Sequence, residues 1–222
     1  MKNILVLGAA GQIGSELVPY LRKIYGGPNV VATYRRTPLI PEIMEGGPCE
    51  NMDALEAEKM FEVVKRYNID TIINLVAVLS AVGENKPTLA WKINMDSMIN
   101  SLEVAKEMGA AVFLPSSIGA FGLSTPMDNT PQDTLMRPTT IYGISKVAAE
   151  LLGDYYHVKY GVDTRGLRYP GIISNVTLPG GGTTDYAVEI YYEAIKNKSY
   201  KCNLSAGTFL DMMYMPDALR AL

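Results

Sequence analysis

The sequence predicts an α/β protein built on a doubly wound parallel sheet. Three observations carry that reading. Short apolar runs alternate along the chain with longer amphipathic stretches. Three glycines, Gly8, Gly11 and Gly14, punctuate the junction between the first run and the first stretch. The 222 residues, 48% hydrophobic and 19% charged, are enough for a sizeable core and contain no repeat, low-complexity tract or linker.

The elements follow in order. Ile4–Leu7 reads as a strand and residues 12–24 as a helix. Residues 30–33 form a second strand, and a third is expected shortly before Asp53. Residues 55–67 place Leu55, Met60, Phe61, Val63 and Val64 at helical spacing. Residues 71–76 read as a strand. Residues 89–108 read as a long helix with Leu89, Ile93, Met98, Leu102 and Ala105 near one stripe. Then come a strand over 112–115, a helix over 140–160, a strand over 163–167 and a helix over 186–196. Strands separated by helices of this length pair in parallel through right-handed crossovers. Two loops stand apart: 121–138, with three prolines, and 179–184, Pro-Gly-Gly-Gly-Thr-Thr. Long loops at the carboxyl ends of strands are where an open parallel sheet holds its ligands. Residues 216–222 start well as a helix, with Pro216 and Asp217 in the first turn, and run to an apolar Leu222 without a glycine cap. A natural terminus and a longer chain both suit this ending; the longer chain is expected. Residues 1–178 are read as a dinucleotide-binding domain. Residues 179–222 are read as part of a small substrate-binding or lid region, expected to be incomplete.

Composition excludes several functions. The formal net charge is -3, and the best basic cluster is the pair Arg35-Arg36, so neither nucleic acid nor an acidic membrane surface is an expected partner. No run approaches the ~20 apolar residues of a membrane span, and the first run is too short for a signal peptide. Cys49 and Cys202 lie far apart and read as free thiols of a reducing, cytoplasmic protein. One histidine and two distant cysteines cannot assemble a zinc site, and no metal is expected. His157 lies within the helix, away from any nucleophile motif, so a Ser-His-Asp triad is not expected.

The chemistry begins at Gly8-Ala9-Ala10-Gly11-Gln12-Ile13-Gly14. Gly8 permits the tight turn, Gly11 lets a pyrophosphate approach the backbone, and Gly14 lets the helix lie close to the strand. The helix N-terminus then offers free N–H groups and a positive dipole end to phosphates. No Gly-Lys-Ser/Thr follows, so this is not a Walker loop. A Rossmann-type dinucleotide site is expected. In NAD enzymes an acid at the end of the second strand holds the adenosine ribose. Here that strand runs into Tyr34-Arg35-Arg36, with no acid. Two solvated arginines and a pair meeting the 2′-phosphate of NADP are both compatible with that.

Tyr142-Gly143-Ile144-Ser145-Lys146 places a phenol and an ammonium four residues apart on one helix face. A free phenol, with a pKa near ~10, is a poor base at neutral pH. A nearby cation favours the phenolate, so Lys146 is expected to lower the Tyr142 pKa. Upstream, Ser116-Ser117-Ile118-Gly119-Ala120-Phe121-Gly122 follows a strand, and the Ser117 hydroxyl can orient a substrate alcohol toward Tyr142.

Glycine loop, serine, tyrosine and lysine in this order resemble the extended short-chain dehydrogenase/reductases, with Phe121 where the family's SSxxxYG element has a tyrosine. Further stretches resemble the L-threonine 3-dehydrogenases of that type: residues 167–174, GGGTTDYAV from Gly180, MMYMPDA from Met212, and Leu79-Ser80-Ala81. The resemblance covers essentially the whole chain. It implies NAD-dependent oxidation of the L-threonine β-hydroxyl to 2-amino-3-oxobutanoate, on the way to glycine or aminoacetone. The implied catalytic residues are Ser117, Tyr142 and Lys146. The implied cofactor contacts are Gly8, Gly11, Gln12, Ile13, Gly14, Tyr34, Arg35, Leu75, Ala77, Tyr142, Lys146, Tyr169 and Ile172. Asp53 is implied at the adenine edge, and Asn94 in the hydrogen-bond network of the lysine. The implied substrate contacts are Ser80, Ser117, Tyr142, Thr183 and Thr184. Ser116 is expected at the same cleft, and the 180–182 glycines there either donate N–H groups or serve only as a flexible turn. A homodimer pairing through the 89–108 and 140–160 helices is also implied. The family usually has an aspartate where Tyr34 stands and continues well past position 222. A sugar-nucleotide epimerase or reductase shares the Ser/Tyr/Lys set, but GGGTTDY is too small and uncharged to clamp a second diphosphate. A non-catalytic NAD(P) sensor of the same fold is the third reading; such proteins tend to lose the tyrosine or the lysine.

Overall fold

Along the chain come β1 (Ile4–Leu7), α1 (Gln12–Tyr25), β2 (Val30–Tyr34), α2 (Pro41–Gly46), β3 (Cys49–Asn51) and α3 (Ala57–Arg66). Then follow β4 (Thr71–Asn74), α4 (Ser80–Asn85), α5 (Pro87–Met108), β5 (Ala111–Phe113) and β6 (Ser116–Ser117). The rest is α6 (Ile141–Tyr160), β7 (Thr164–Arg165), β8 (Arg168–Tyr169), β9 (Gly171–Ile173), α7 (Tyr186–Asn197), β10 (Met212–Tyr214) and α8 (Met215–Arg220). This computed structural model describes every residue of 1–222 except Asn175, Pro179, Gly181 and Thr183.

All four residues of β1 are apolar and fully buried, as a strand covered on both faces requires. It pairs in parallel with β2 on one side and β4 on the other, Ile4 opposite both Val30 and Thr71. The sheet order is β3-β2-β1-β4-β5-β7, every pair parallel. The chain winds outward from β1 to β3 and returns to β4, so the order reverses between β1 and β4. In such sheets the carboxyl ends at that reversal form the ligand crevice.

Alternation along the strands divides the core into two layers. Leu5, Leu7, Val31, Ile72 and Val112 pack under α3, α5 and α6, against Met60, Val63, Val64, Met98 and Leu102. Ile4, Val6, Val30, Ala32 and Ile73 pack on the other face, against Leu17, Val18 and Leu21 of α1, Ile43 of α2, and Met215 and Leu219 of α8. Each fully buried side chain of this size is worth roughly 1.5–3 kcal/mol. The two long helices on the first face are punctuated by their sequence. Thr140 caps α6 by accepting from the Gly143 N–H at 3.0 Å, and Gly161 closes it in the left-handed region at φ 72°. Gly109 closes α5 in the same way at φ 68°.

The structure departs from the sequence reading in several places. Two six-residue helices, α2 and α4, stand where no element was expected. The strand expected over 163–167 is only two residues long at the sheet edge, and two short parallel pairs, β6 with β8 and β9 with β10, lie beyond it. Leu89, assigned to the buried stripe of the long helix, is exposed, whereas Met95 and Ser97 are buried. The last ten residues join the core. β10 pairs with β9, α8 packs on α1, and Met215 is completely buried. No helix of the described residues is long and apolar enough to cross a membrane.

Candidate active site

At the carboxyl end of β1, Gly8 turns the chain at φ +78°, which other residues rarely adopt. A Cβ on Gly14 would stand 2.5 Å from the Gly8 carbonyl oxygen and 2.6 Å from the Ala9 Cα. Helix and strand therefore meet backbone to backbone, as close packing at the third glycine demands. Gly11 is exposed, and a Cβ there would meet only the Gly8 oxygen, at 3.3 Å. It stands at the N-cap of α1 and supplies no side-chain cap, so the first-turn N–H groups face the crevice with no acid among them. Ile13 turns toward the core, while the Gln12 Nε2 is buried without a hydrogen-bond partner. An orphaned donor beside a side-chain-free helix N-terminus fits an anionic, hydrogen-bonding ligand such as the pyrophosphate of a dinucleotide.

The two strands beside β1 frame the rest of this groove. Tyr34 closes β2 and Arg35 follows it, its Nη1 held by Asp53 Oδ2 at 2.8 Å. Burial would raise the Asp53 pKa, but hydrogen bonds from Arg35 and the Leu55 N–H, with the charges of Arg35 and Arg36, hold it below the usual carboxylate value. One of the two arginines that could meet a 2′-phosphate is thus half of an ion pair. On the other side β4 runs into Leu75 and Ala77, both half-buried. Asn94 clamps the segment that follows: its Oδ1 accepts from the Val78 N–H at 2.7 Å and its Nδ2 donates to the Val78 carbonyl at 3.2 Å. The same Nδ2 donates to Ser145 Oγ at 3.1 Å. Asn94 thus bonds the neighbour of Lys146 and lines the same small cavity as the lysine.

Ser117, Tyr142 and Lys146 come together beyond β4. Ser117 closes β6; its Oγ accepts from the Gly119 N–H at 3.1 Å and, with the Tyr142 ring, lies against Gly119. The phenol is brought this close because α6 and the 118–120 turn meet at glycines; a Cβ on Gly143 would run into the Gly119 carbonyl. Lys146 donates to the Pro115 carbonyl at 2.7 Å and lies 5.4 Å from the centre of the Tyr142 ring. Burial lowers its pKa to about 8, opposed by the charge of Glu150. Burial raises the Tyr142 pKa, with the nearby Ser117 hydroxyl opposing. The lowering expected from Lys146 is not seen: its ammonium is given to the Pro115 carbonyl, and desolvation of the phenol prevails. A cavity of about 20 Å³ beside Lys146 is lined by Asn74, Asn94, Ser145 and Pro115, room for one water.

The remaining predicted residues divide. Ser80 opens α4, and a Cβ on Gly180 would touch the Leu79 side chain at 3.7 Å, so the glycine loop abuts the Ser80 segment. Thr184 packs against Gly171 of β9, beside the half-buried Ile172. Thr183 lies outside the described residues. Tyr169 is buried in the core and donates its hydroxyl to the Ala218 carbonyl at 3.0 Å, so its side chain serves α8. Ser116 does not line the cleft as expected: it is buried and gives its hydroxyl to Glu150. Sequence reasoning missed Glu150, although it follows Lys146 by one helical turn. It also missed Glu84, which accepts from the Ile141 N–H at 2.8 Å and ties α4 to the start of α6. A larger cavity, about 620 Å³, includes none of Ser117, Tyr142 and Lys146; it opens between Glu150, Arg165, Arg168 and Gln132.

Known proteins resemble this chain in sequence and in fold. A curated relative, an uncharacterized epimerase/dehydratase of Staphylococcus aureus, is 50% identical over all 222 residues, which span 69% of its length. An L-threonine dehydrogenase from Clostridium difficile is 57% identical, with a TM-score of 0.94 over 100% of this chain and 69% of that one. A GalE-like L-threonine dehydrogenase from Cupriavidus necator, in its holo form, is 48% identical, with a TM-score of 0.93 over 99% of this chain and 70% of that one. The model of the NAD dependent epimerase/dehydratase family matches residues 4–221, from the first strand through the glycine turn and the Tyr–Lys helix to α8. A nicotinamide dinucleotide is what that cradle is shaped to hold, and the chain belongs to the NAD dependent epimerase/dehydratase family.

Proposed function

We propose that this site oxidises the β-hydroxyl of L-threonine to 2-amino-3-oxobutanoate with NAD⁺ as the hydride acceptor. The observation that carries the chemistry is the clustering of Ser117 and Tyr142 against Gly119 with Lys146 5.4 Å from the centre of the Tyr142 ring, at the carboxyl ends of the strands. The substrate comes from the likeness to threonine dehydrogenases at 57% and 48% identity. The bound nicotinamide would accept the hydride from Cβ, and its ring charge would favour the phenolate. Tyr142 takes the hydroxyl proton, Ser117 orients the alcohol, and Lys146 keeps a cation against the phenol. Ser80, Thr184 and the Gly180 N–H suit the two charges of a small zwitterion, while the Gly182 N–H is given to Asp185 at 2.7 Å. Gly8, Gly11, Gln12 and Gly14 hold the pyrophosphate, and Leu75, Ala77 and Ile172 wall the nicotinamide. NAD is favoured over NADP because Asp53 already engages Arg35.

The test is NAD(P)H formation with L-threonine, L-serine and L-allo-threonine, and a separate assay for UDP-hexose epimerisation. Threonine should react fastest. Serine, lacking one methyl, should lose ~1–3 kcal/mol of specificity. Epimerisation without threonine-dependent reduction would overturn the reading. We also propose a homodimer in a reducing, cytoplasmic setting. Leu89, Trp91 and Ile99 of α5 and Leu151, Tyr155 and Val158 of α6 are exposed on two helices that pack side by side. Sedimentation as a monomer at micromolar concentration would refute the dimer.

A further inference from the structure

We infer that Glu150 is the counter-charge that holds Lys146 in its protonated state, a positioning residue for the reaction proposed above, on which its catalytic meaning rests. Glu150 follows Lys146 by one turn of α6, on the same face. It is only 22% exposed and is fixed from two sides. Ser116 of β6 donates its hydroxyl to Oε1. Arg168 of β8 donates to both oxygens, Nη2 to Oε2 at 2.7 Å and Nε to Oε1 at 3.1 Å. Arg168 is itself held, by the Gln132 carbonyl at 2.9 Å and over the Phe121 ring at 5.5 Å. A carboxylate gripped by a forked guanidinium and a hydroxyl cannot swing away to solvent.

The lysine needs such a charge. Its ammonium has left water for a carbonyl and an aromatic face, and burial pulls its pKa to about 8 even with Glu150 opposing. Around it stand Tyr142 one turn before it on α6, Ser145 beside it, Asn94 from α5, Asn74 from β4 and the Pro115 carbonyl before β6; Glu150, one turn after it, is bonded to Ser116, the residue next to Pro115, with Arg168 of β8 behind. Glu150 supplies the anion in this set, and Arg168 tempers it. A purely structural ion pair would tie α6 to β8 and leave the titration of Lys146 untouched.

The experiment is a ¹³C NMR titration of Lys146 in the ligand-free protein, its resonance assigned by its absence in Lys146→Arg. In Glu150→Gln, which keeps the shape and removes the charge, the midpoint should fall by about one pH unit. In Glu150→Asp, which keeps the charge, it should stay nearer the wild-type value. In Arg168→Gln it should rise, the opposite direction, and this variant decides the matter if Glu150→Gln fails to fold. Threonine oxidation by Glu150→Gln should fall about fivefold at the wild-type midpoint and recover at lower pH. An unmoved midpoint in both charge-changing variants overturns the inference, as does an activity loss equal at every pH. If the midpoints move as stated but the wild type leaves threonine untouched, the failure belongs to the substrate reading and not to Glu150.

Discussion

At the turn after β1 the cleft is walled by backbone. Gly8 sits at φ +78°, and a single added carbon on Gly14 would stand 2.5 Å from a carbonyl oxygen. Across the cleft, at Tyr142, the wall is made of side chains: a phenol beside a serine, a lysine on a carbonyl, and a glutamate one turn on held by an arginine. The first region owes its shape to atoms that are missing, the second to functional groups that are present. Substitutions at the first should strike folding and binding together. Substitutions at the second should strike chemistry and leave the scaffold in place.

The largest test of that contrast is Tyr142→Phe. The ring stays packed beside Gly119, and the Ser117 hydroxyl keeps its bond from the Gly119 N–H. Turnover should fall by ~10²–10⁴, the worth of a general base, with cofactor affinity and melting temperature nearly unchanged. Turnover within threefold of the wild type would remove the phenol from the mechanism. At the glycine turn, Gly14→Ala should cost about 3 kcal/mol of stability, since neither Gly8 nor Ala9 can yield without opening the β1–α1 contact. Gly11→Val is the counterpart. A Cβ there would press only on the Gly8 oxygen, at 3.3 Å, a shift of a few tenths of an ångström, so thermal unfolding should change far less than in Gly14→Ala while dinucleotide titration is lost. Equal melting temperatures for Gly14→Ala and Gly11→Val would erase the distinction between the two glycines.

The contrast also governs what was legible in the sequence. The glycine turn, the Tyr142–Lys146 pair and the two-faced core declare themselves through spacing, because turn, helix and strand each impose a period on nearby residues. α2 and α4, six residues each, are too short to display one. The edge strand β7 has two residues and one neighbour, so no apolar run marks its limits. Side-chain direction was harder still. Tyr169 lies in a stretch shared with a dehydrogenase family, yet its hydroxyl goes to Ala218, 49 residues away. Ser116 and Ser117 are adjacent on a strand and so point to opposite faces, one to Glu150 and one to Tyr142. Strand alternation could have separated the two serines. The partnership of Glu150 with Arg168 joins residues that no local pattern connects.

The smallest expected effect lies at the adenosine end, where the cleft is neither bare backbone nor buried chemistry. Arg35 is about half exposed, so its pair with Asp53 contributes well under ~1 kcal/mol once solvent screening is counted. The Asp53 pKa is lowered in the folded protein. Its share of stability is therefore present above the unfolded carboxylate value and disappears as the pH falls through the lower folded value. Asp53→Asn should thus leave the melting temperature within a degree or two of wild type at neutral pH, and the gap should close in acid. Its effect on cofactor choice should be easier to see. Releasing Arg35 leaves a forked cation, with Arg36 beside it, at the end of β2, where a 2′-phosphate would arrive. NADP(H) affinity should then rise a few-fold relative to NAD(H), and the gain should shrink with added salt, because the new contact is exposed. Parallel titrations of both cofactors at low and high salt decide it. A cofactor ratio identical to that of the wild type would mean that Arg35 never reaches the ribose, and that the preference is set instead by Tyr34 or by the backbone around it.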